Sequence, residues 1–464
     1  MRLMPFNFDR LESGSYFLSN MAGFHCFLEE QLLCELVDHS QTSLSSIDEK
    51  LESGLFIAPE YVEDASIAAL ASGLAKKLQT ESIFRPIFMI VPTLRCDHTC
   101  SYCQVSRAPL NSSKHDLIEE KIPVIINTIR KLGTPPYKLE IQGGEPLVRF
   151  DLVQKLYDEA AAQLGSGNFE FVVATSLSLF DETILSWAKS RDVNFSTSLD
   201  GNDFVHNSSR ILYGDDSYQK VKNAINMIQD QLGAGKVATV TTVTRALLSR
   251  PETLIDAHLE MGLHDLFIRP ISPYGFANSK LSDAYSMQEY MVFYRRLFDI
   301  ILASEQASTL VEHSAAIHMK RIMNPGFSGY ADLKSPSGFL LNSMLFNYDG
   351  KVYGSDEARM LQRVLGELDF SCGEAASINL SDNQLYNTIL NSSFNILHPG
   401  CEHCAYQPYC GSDPCQHIAS QGEPLGDKSL SLFCQYHKEM FRFLLDQFNT
   451  SPDSRDLLMR WCHE

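Results

Sequence analysis

Two groups of cysteines hold the chemistry that can be read from this chain. The first is Cys96-Asp97-His98-Thr99-Cys100-Ser101-Tyr102-Cys103, with spacing C-x3-C-x2-C. Three thiolates in one short loop can hold three corners of an iron–sulfur cube. The fourth iron then stays open to a small molecule, because no fourth cysteine is near in sequence. Zinc is the competitor, but it ordinarily takes C-x2-C pairs and a fourth ligand. His98 would have to serve, and it sits inside the loop, too close to ligate alongside all three thiols. The second group is Cys401-x2-Cys404-x5-Cys410-x4-Cys415, followed by Cys434. On spacing alone it suits a tetrahedral zinc site or an iron–sulfur cluster. Cys26, Cys34, Cys372 and Cys462 are scattered and read as ordinary thiols.

The elements that must position the first group follow from periodicity. Between residues 86 and 305 strand-like and helix-like runs alternate. Strands are expected near Pro86–Val91, Tyr137–Ile141, Phe169–Thr175, Asn194–Leu199, Val237–Val243 and Asp265–Arg269. Helices are expected near His115–Leu132, Leu152–Leu164, Asp181–Ser190, Ser217–Leu232, Pro251–Met261 and Met287–Ala303. Such βα units in series imply a parallel sheet with right-handed crossovers, too few to close an eight-fold barrel. The expected fold is α/β, an open partial (β/α)6 TIM-like barrel.

The cysteine loop follows the first of these strands. Gly143-Gly144-Glu145-Pro146 follows the second, Thr175-Ser176 the third, and Ser198-Leu199-Asp200-Gly201 the fourth. All fall at the carboxyl edge of the sheet, where ligand sites form in parallel α/β proteins. The glycines let backbone approach a ligand closely, and Glu145 is an acceptor suited to an ammonium.

Three regions result. Residues 1–85 read as a small α+β module, with a hairpin turning at Asn20-Met21-Ala22-Gly23 and helices near Glu29–Val37 and Ala65–Leu78. Residues 86–305 form the α/β core. Residues 306–464 lose the alternation; Asp349-Gly350 marks a second hairpin, and a helix is expected from Gln435 to Phe448.

Lys+Arg 38 against Asp+Glu 57 gives a formal charge of −19. That disfavours a nucleic-acid phosphate surface. No apolar run approaches the ~18 residues of a membrane span, and the first ten residues lack a signal-peptide layout. No membrane role and a cytoplasmic location are expected. In a reducing compartment, 12 cysteines point to metal rather than disulfides.

Cys96, Cys100 and Cys103, with Tyr102 before the last of them, resemble the signature of radical S-adenosylmethionine (SAM) enzymes. Gly143–Pro146 resembles their SAM-amino motif. The resemblance covers roughly residues 86 to 275. It implies a [4Fe–4S] cluster whose open iron takes the amino and carboxylate groups of SAM, with reductive cleavage to a 5′-deoxyadenosyl radical. It also implies SAM contacts at Tyr102, Gly143, Gly144, Glu145, Pro146, Ser176, Ser198, Asp200 and Arg210.

The second cysteine group resembles the SPASM domain of radical SAM peptide-modifying enzymes. That implies one auxiliary [4Fe–4S] cluster on Cys401, Cys404, Cys410 and Cys434, suited to electron relay. The family's other auxiliary cluster uses a cysteine placed like Ser355, and residues 306–354 contain none. Cys415 is then a spare thiol or a ligand in an altered arrangement. Asp356 and Glu357, beside Ser355, are candidate polar active-site residues. The layout looks closest to maturases of His-Xaa-Ser repeat systems. That implies a repeat-bearing peptide substrate, a second radical SAM maturase, and an electron donor such as a flavodoxin or ferredoxin. The N-terminal module then reads as peptide-binding or as a packing extension. A radical SAM enzyme acting on a small molecule, and a non-catalytic iron–sulfur electron carrier, are the competing functions.

Overall fold

The computed structural model describes residues 2–38, 48–59, 62–81, 86–272, 274, 284–325, 330–366, 368–378, 380 and 383–463. Its centre is an eight-stranded sheet. Across the sheet the strands run Ile268–Arg269, Val237–Thr242, Val193–Ser198, Phe169–Ala174, Tyr137–Ile141, Ile87–Ile90, Ser343–Phe346 and Val352–Tyr353. Every neighbouring pair is parallel except the last. The order does not close on itself among the described residues.

Alternation along each strand divides the sheet into two faces. In Tyr137–Ile141, Tyr137, Leu139 and Ile141 are buried while Lys138 and Glu140 are half-buried. The apolar positions pack with Phe171, Val173 and Phe195 against Ile125, Ile129, Leu152 and Leu156 of the outer helices. The polar positions face inward. The crossover helices carry their own start signals: Asp181 accepts from the Thr183 and Ile184 amides, and Ser286 with Glu289 forms a capping box.

One helix is shorter than its periodicity predicts. The run from His115 begins as two 3-10 turns, and the α-helix spans only Ile122–Leu132. Pro123 lies in its first turn, where a missing N–H costs nothing, whereas further inside a helix it would break the hydrogen-bond ladder.

Three pairings, two of them long-range, were not readable from local pattern. The Asp349-Gly350 hairpin does form, and its first strand, Ser343–Phe346, adds in parallel beside Ile87–Ile90. The C-terminal region thereby extends the sheet. His98–Cys100 pairs antiparallel with Arg210–Leu212. In the N-terminal module, Asn7–Arg10 joins the hairpin of Tyr16–Ser19 and His25–Leu28 as a third strand.

That small sheet lies on the second cysteine loop. Asn7 donates to the Glu402 carbonyl at 2.9 Å, Ser19 to the Ala405 carbonyl at 2.5 Å, and the Tyr409 hydroxyl to the Gly23 carbonyl at 3.0 Å. Phe17 stacks on Tyr406 with ring centroids 5.8 Å apart. The chain ends in two helices, Leu432–Thr450 and Pro452–His463. No described helix is long and apolar enough to cross a membrane.

Candidate functional site

The inward face of the sheet lines a cavity of about 690 Å³. Cys96, Cys100 and Cys103 all line it, and none of the 12 cysteines forms a disulfide. The three are half-buried. Burial raises the Cys96 thiol, and the neighbouring Glu145 and Cys100 raise it further. Burial also pushes Cys100 up to about 11, against the pull of Arg210. Thiols so placed lose their protons only if positive charge arrives beside them, which is what iron supplies. The donor set therefore fits an iron–sulfur cluster with one iron left to another ligand.

His98 is not a fourth ligand. Its Nδ1 bonds the Asp97 carboxylate at 2.8 Å and its Nε2 bonds Ser217 Oγ at 2.8 Å, so both ring nitrogens are engaged. Cys96, Asp97 and His98 do cluster closely, but as a brace. Asp97 also accepts from Ser178 Oγ at 2.5 Å. The loop is thus tied to residues after the third strand and to the helix Ser217–Gln231.

The glycines of Gly143-Gly144 serve a nearer neighbour than a ligand. Gly143 has φ +144°, and a Cβ there would lie 2.4 Å from the Thr93 carbonyl oxygen. A Cβ on Gly144 would lie 2.3 Å from the Arg95 oxygen and 2.4 Å from the Leu94 oxygen. The two backbones touch: the Gly144 amide donates to Thr93 at 2.9 Å and the Glu145 amide to Arg95 at 2.7 Å. The motif clamps the segment leading into the cysteine loop.

Glu145 is buried and saturated. Oε1 accepts from Thr175 Oγ1 at 2.6 Å and the Leu147 amide at 3.0 Å. Oε2 accepts from the Ser176 amide at 2.8 Å and Ser176 Oγ at 2.7 Å. Pro146 begins the 3-10 turn Pro146–Arg149 and is buried away from the cavity. Ser176, Ser198 and Arg210 line the cavity with the thiols. Asp200 is fully buried; it accepts from the Tyr102 hydroxyl and, at 3.1 Å, from the Thr242 amide. Arg210 Nη1 donates to the Tyr102 hydroxyl at 2.9 Å. Asp200 thus stands behind Tyr102, and Tyr102 stands between it and the guanidinium.

In the second group, Cys401, Cys404 and Cys434 each lie near enough to Cys410 to raise its pKa. Lys428 and Lys438 lie beside this set. Cys415 faces elsewhere. It is fully buried among Tyr274, Leu361 and Ile418, and its charged neighbours are Asp413 and Glu357.

Residues 90–246 match the family model described as Radical SAM superfamily. They form a radical SAM domain. The radical SAM fold extends over most of the chain. It is similar to the structure of native anSMEcpe with bound AdoMet, at 16% identity and TM-score 0.64, covering 81% of this chain and 100% of that one. It is also similar to Streptococcus suis SuiB bound to precursor peptide SuiA, at 15% identity and TM-score 0.52, covering 92% and 98%. A curated relative, uncharacterized protein MJ0907 of Methanocaldococcus jannaschii, is 26% identical over 109 residues, which is 24% of this chain and 36% of that protein. The chain thus carries a radical SAM domain, a class that implies SAM and a [4Fe–4S] cluster.

The cavity has walls that motif reading missed. Lys138, Glu140 and Arg269 line it, and so do Asp332, Ser412 and Asp413. The first pair carried a signal: in Tyr-Lys-Leu-Glu-Ile, charges alternate with apolar residues in a strand covered on its other face. Of the two acids beside Ser355, Glu357 lines the cavity with its carboxyl free of an ion pair. Asp356 lines it too, but accepts from Arg359 Nε at 3.0 Å and Nη2 at 2.8 Å. Arg359 also donates to the Val105 carbonyl at 3.3 Å, joining this helix to the chain just after the cysteine loop.

Proposed function

We propose that this chain is a maturase that modifies a ribosomally made peptide, most closely a His-Xaa-Ser repeat protein, by radical SAM chemistry. The observation that carries the reading is one cavity of about 690 Å³ lined by the three thiols of the loop and by polar and charged side chains of the sheet's inner face, with room for a substrate side chain. The solved relatives support it, since SuiB is seen bound to its precursor peptide and anSMEcpe to the Cp18Cys peptide. Among the described residues the N-terminal three-stranded sheet has no further strand on either edge, which suits it to receiving a peptide as an added strand.

Cys96, Cys100 and Cys103 hold the cluster in this reading. When bound, the cluster and SAM together supply a one-electron cleavage that yields a hydrogen-abstracting radical. The chain's own residues do the rest. Arg210 offers its guanidinium to the SAM carboxylate, held in line by the Tyr102 hydroxyl. Ser198 and the Gly143–Gly144 backbone line the space beside it. Glu145, already saturated, fixes Ser176 and the clamp rather than touching the amino group. Cys401, Cys404, Cys410 and Cys434 hold one auxiliary cluster, with Cys415 outside it. A flavodoxin or ferredoxin donates electrons, and a second maturase acts on the same peptide.

The test is co-expression with a His-Xaa-Ser repeat peptide, followed by mass spectrometry. A mass change that is lost in Cys100→Ala supports the proposal. SAM cleavage by the native chain with an unchanged peptide mass overturns it.

A further inference from the structure

One part of the cavity wall is acidic. Asp332, Glu357 and Asp413 line it together. They come from three different segments, a 3-10 turn at Ala331–Leu333, the first turn of the helix Asp356–Leu365, and the cap of the helix Pro414–Gln421. Asp356 is neutralised by Arg359. Among the described residues, no lysine or arginine forms an ion pair with the other three; the cation felt by Asp332 is Arg269, further along the wall. Burial, and then the charges of Asp332, Asp356 and Asp413, push Glu357 up to about 8. Asp413 is pushed up to about 7, again by burial first.

A second, independent feature points the same way. Ser412 Oγ is buried, only 2% of the residue being exposed, and it has no hydrogen-bond partner, yet the residue lines the same cavity. An unpartnered buried hydroxyl is costly and calls for a ligand group. A hydroxyl without a partner, beside carboxylates without an ion-paired cation, makes half of a binding site. The missing half carries positive charge and N–H groups. Among the described residues the carboxylates do not converge closely enough to cage a bare metal ion. A spread set of acceptors instead suits a larger organic cation.

We propose that this acidic part of the cavity binds a cationic side chain of the substrate peptide, with Asp413 and Asp332 supplying charge, Glu357 joining them as the entering cation displaces its proton, and Ser412 supplying an acceptor oxygen. The proposal rests on the peptide reading above and adds the charge of the residue that enters.

Two capped pentapeptides test it, one with a central lysine and one with norleucine in its place. Each is titrated calorimetrically into the full chain, reconstituted anaerobically with SAM present. The lysine peptide is expected to bind about tenfold tighter or better, as close charge pairing in a cavity implies. In Glu357→Gln/Asp413→Asn the ratio falls to about one, while the SAM dissociation constant stays within about twofold. Equal affinities in the native chain overturn the proposal and need no variant; peptide binding itself would then survive. A ratio unchanged in the double variant also overturns it. If capped lysine alone beats capped norleucine and the pentapeptides bind no better than these, the acidic site stands and the peptide reading falls.

Discussion

Cys100 stands opposite Arg210 on a short antiparallel ladder, so a guanidinium enters the cavity beside the middle thiol of the loop. Residues on neighbouring strands are held at fixed register, and register is harder to lose than a surface ion pair. Arg210→Met should therefore leave the loop and its iron in place while weakening SAM. A dissociation constant raised about tenfold or more, with unchanged iron content, is expected. Calorimetry and iron analysis on one preparation check both halves.

The two cysteine groups should fail separately. The native chain should carry about eight irons, two cubes. Cys100→Ala should lose about half of them and all SAM cleavage. Cys404→Ala should lose the other half and keep some uncoupled cleavage, because its loop lies under the N-terminal sheet rather than in the cavity wall. Equal loss of cleavage in both variants, with normal folding, removes the relay role. Twelve irons would mean that Cys415 and its surroundings hold a third cluster.

Gly144→Ala should destabilise the fold. The added methyl meets two backbone oxygens at 2.3 and 2.4 Å, and backbone cannot swing aside as a side chain does. A loss of about 1–3 kcal/mol is expected in denaturant unfolding of the cluster-free chain. Gly167→Ala is the control for local crowding. Its Cβ has open space, so only the strain of φ +86° remains.

Stability should fall as pH rises through the range set by Glu357. Its carboxyl is raised from 4.5 to about 8 by burial and three neighbouring carboxylates. Between those values the folded chain keeps a proton that the unfolded chain has lost. The contribution is present in full below the lower value and is lost as pH climbs through the upper one. Glu357→Gln has no proton to lose. Its melting temperature should match the native chain near the lower value and exceed it at pH 8. Parallel curves at every pH would show that Glu357 titrates normally.

Much of the site was legible because its signals are local. The C-x3-C-x2-C loop and Gly143-Gly144-Glu145-Pro146 each sit within a few residues, directly after strands that periodicity locates. The role of the glycines was less legible. Sequence reading gave them to a ligand, but the close approach is to Thr93, Leu94 and Arg95, a contact between loops about one βαβ unit apart. Glu145 changed in the same way: an acceptor in sequence, it is already filled by Thr175, Ser176 and Leu147.

By itself the sequence determined the α/β alternation, the two thiol groups and the edge of the sheet where the first must lie. Periodicity and short spacings survive in one dimension because neighbouring residues share one element. Tertiary structure alone decided that Ser343–Phe346 lies beside Ile87–Ile90, that Cys415 turns away from the other four cysteines, and that three acids from separate segments line one cavity. Those pairings depend on which distant surfaces bury one another, and an apolar strand such as Ser-Met-Leu-Phe fits many partners until the rest of the sheet leaves it only one.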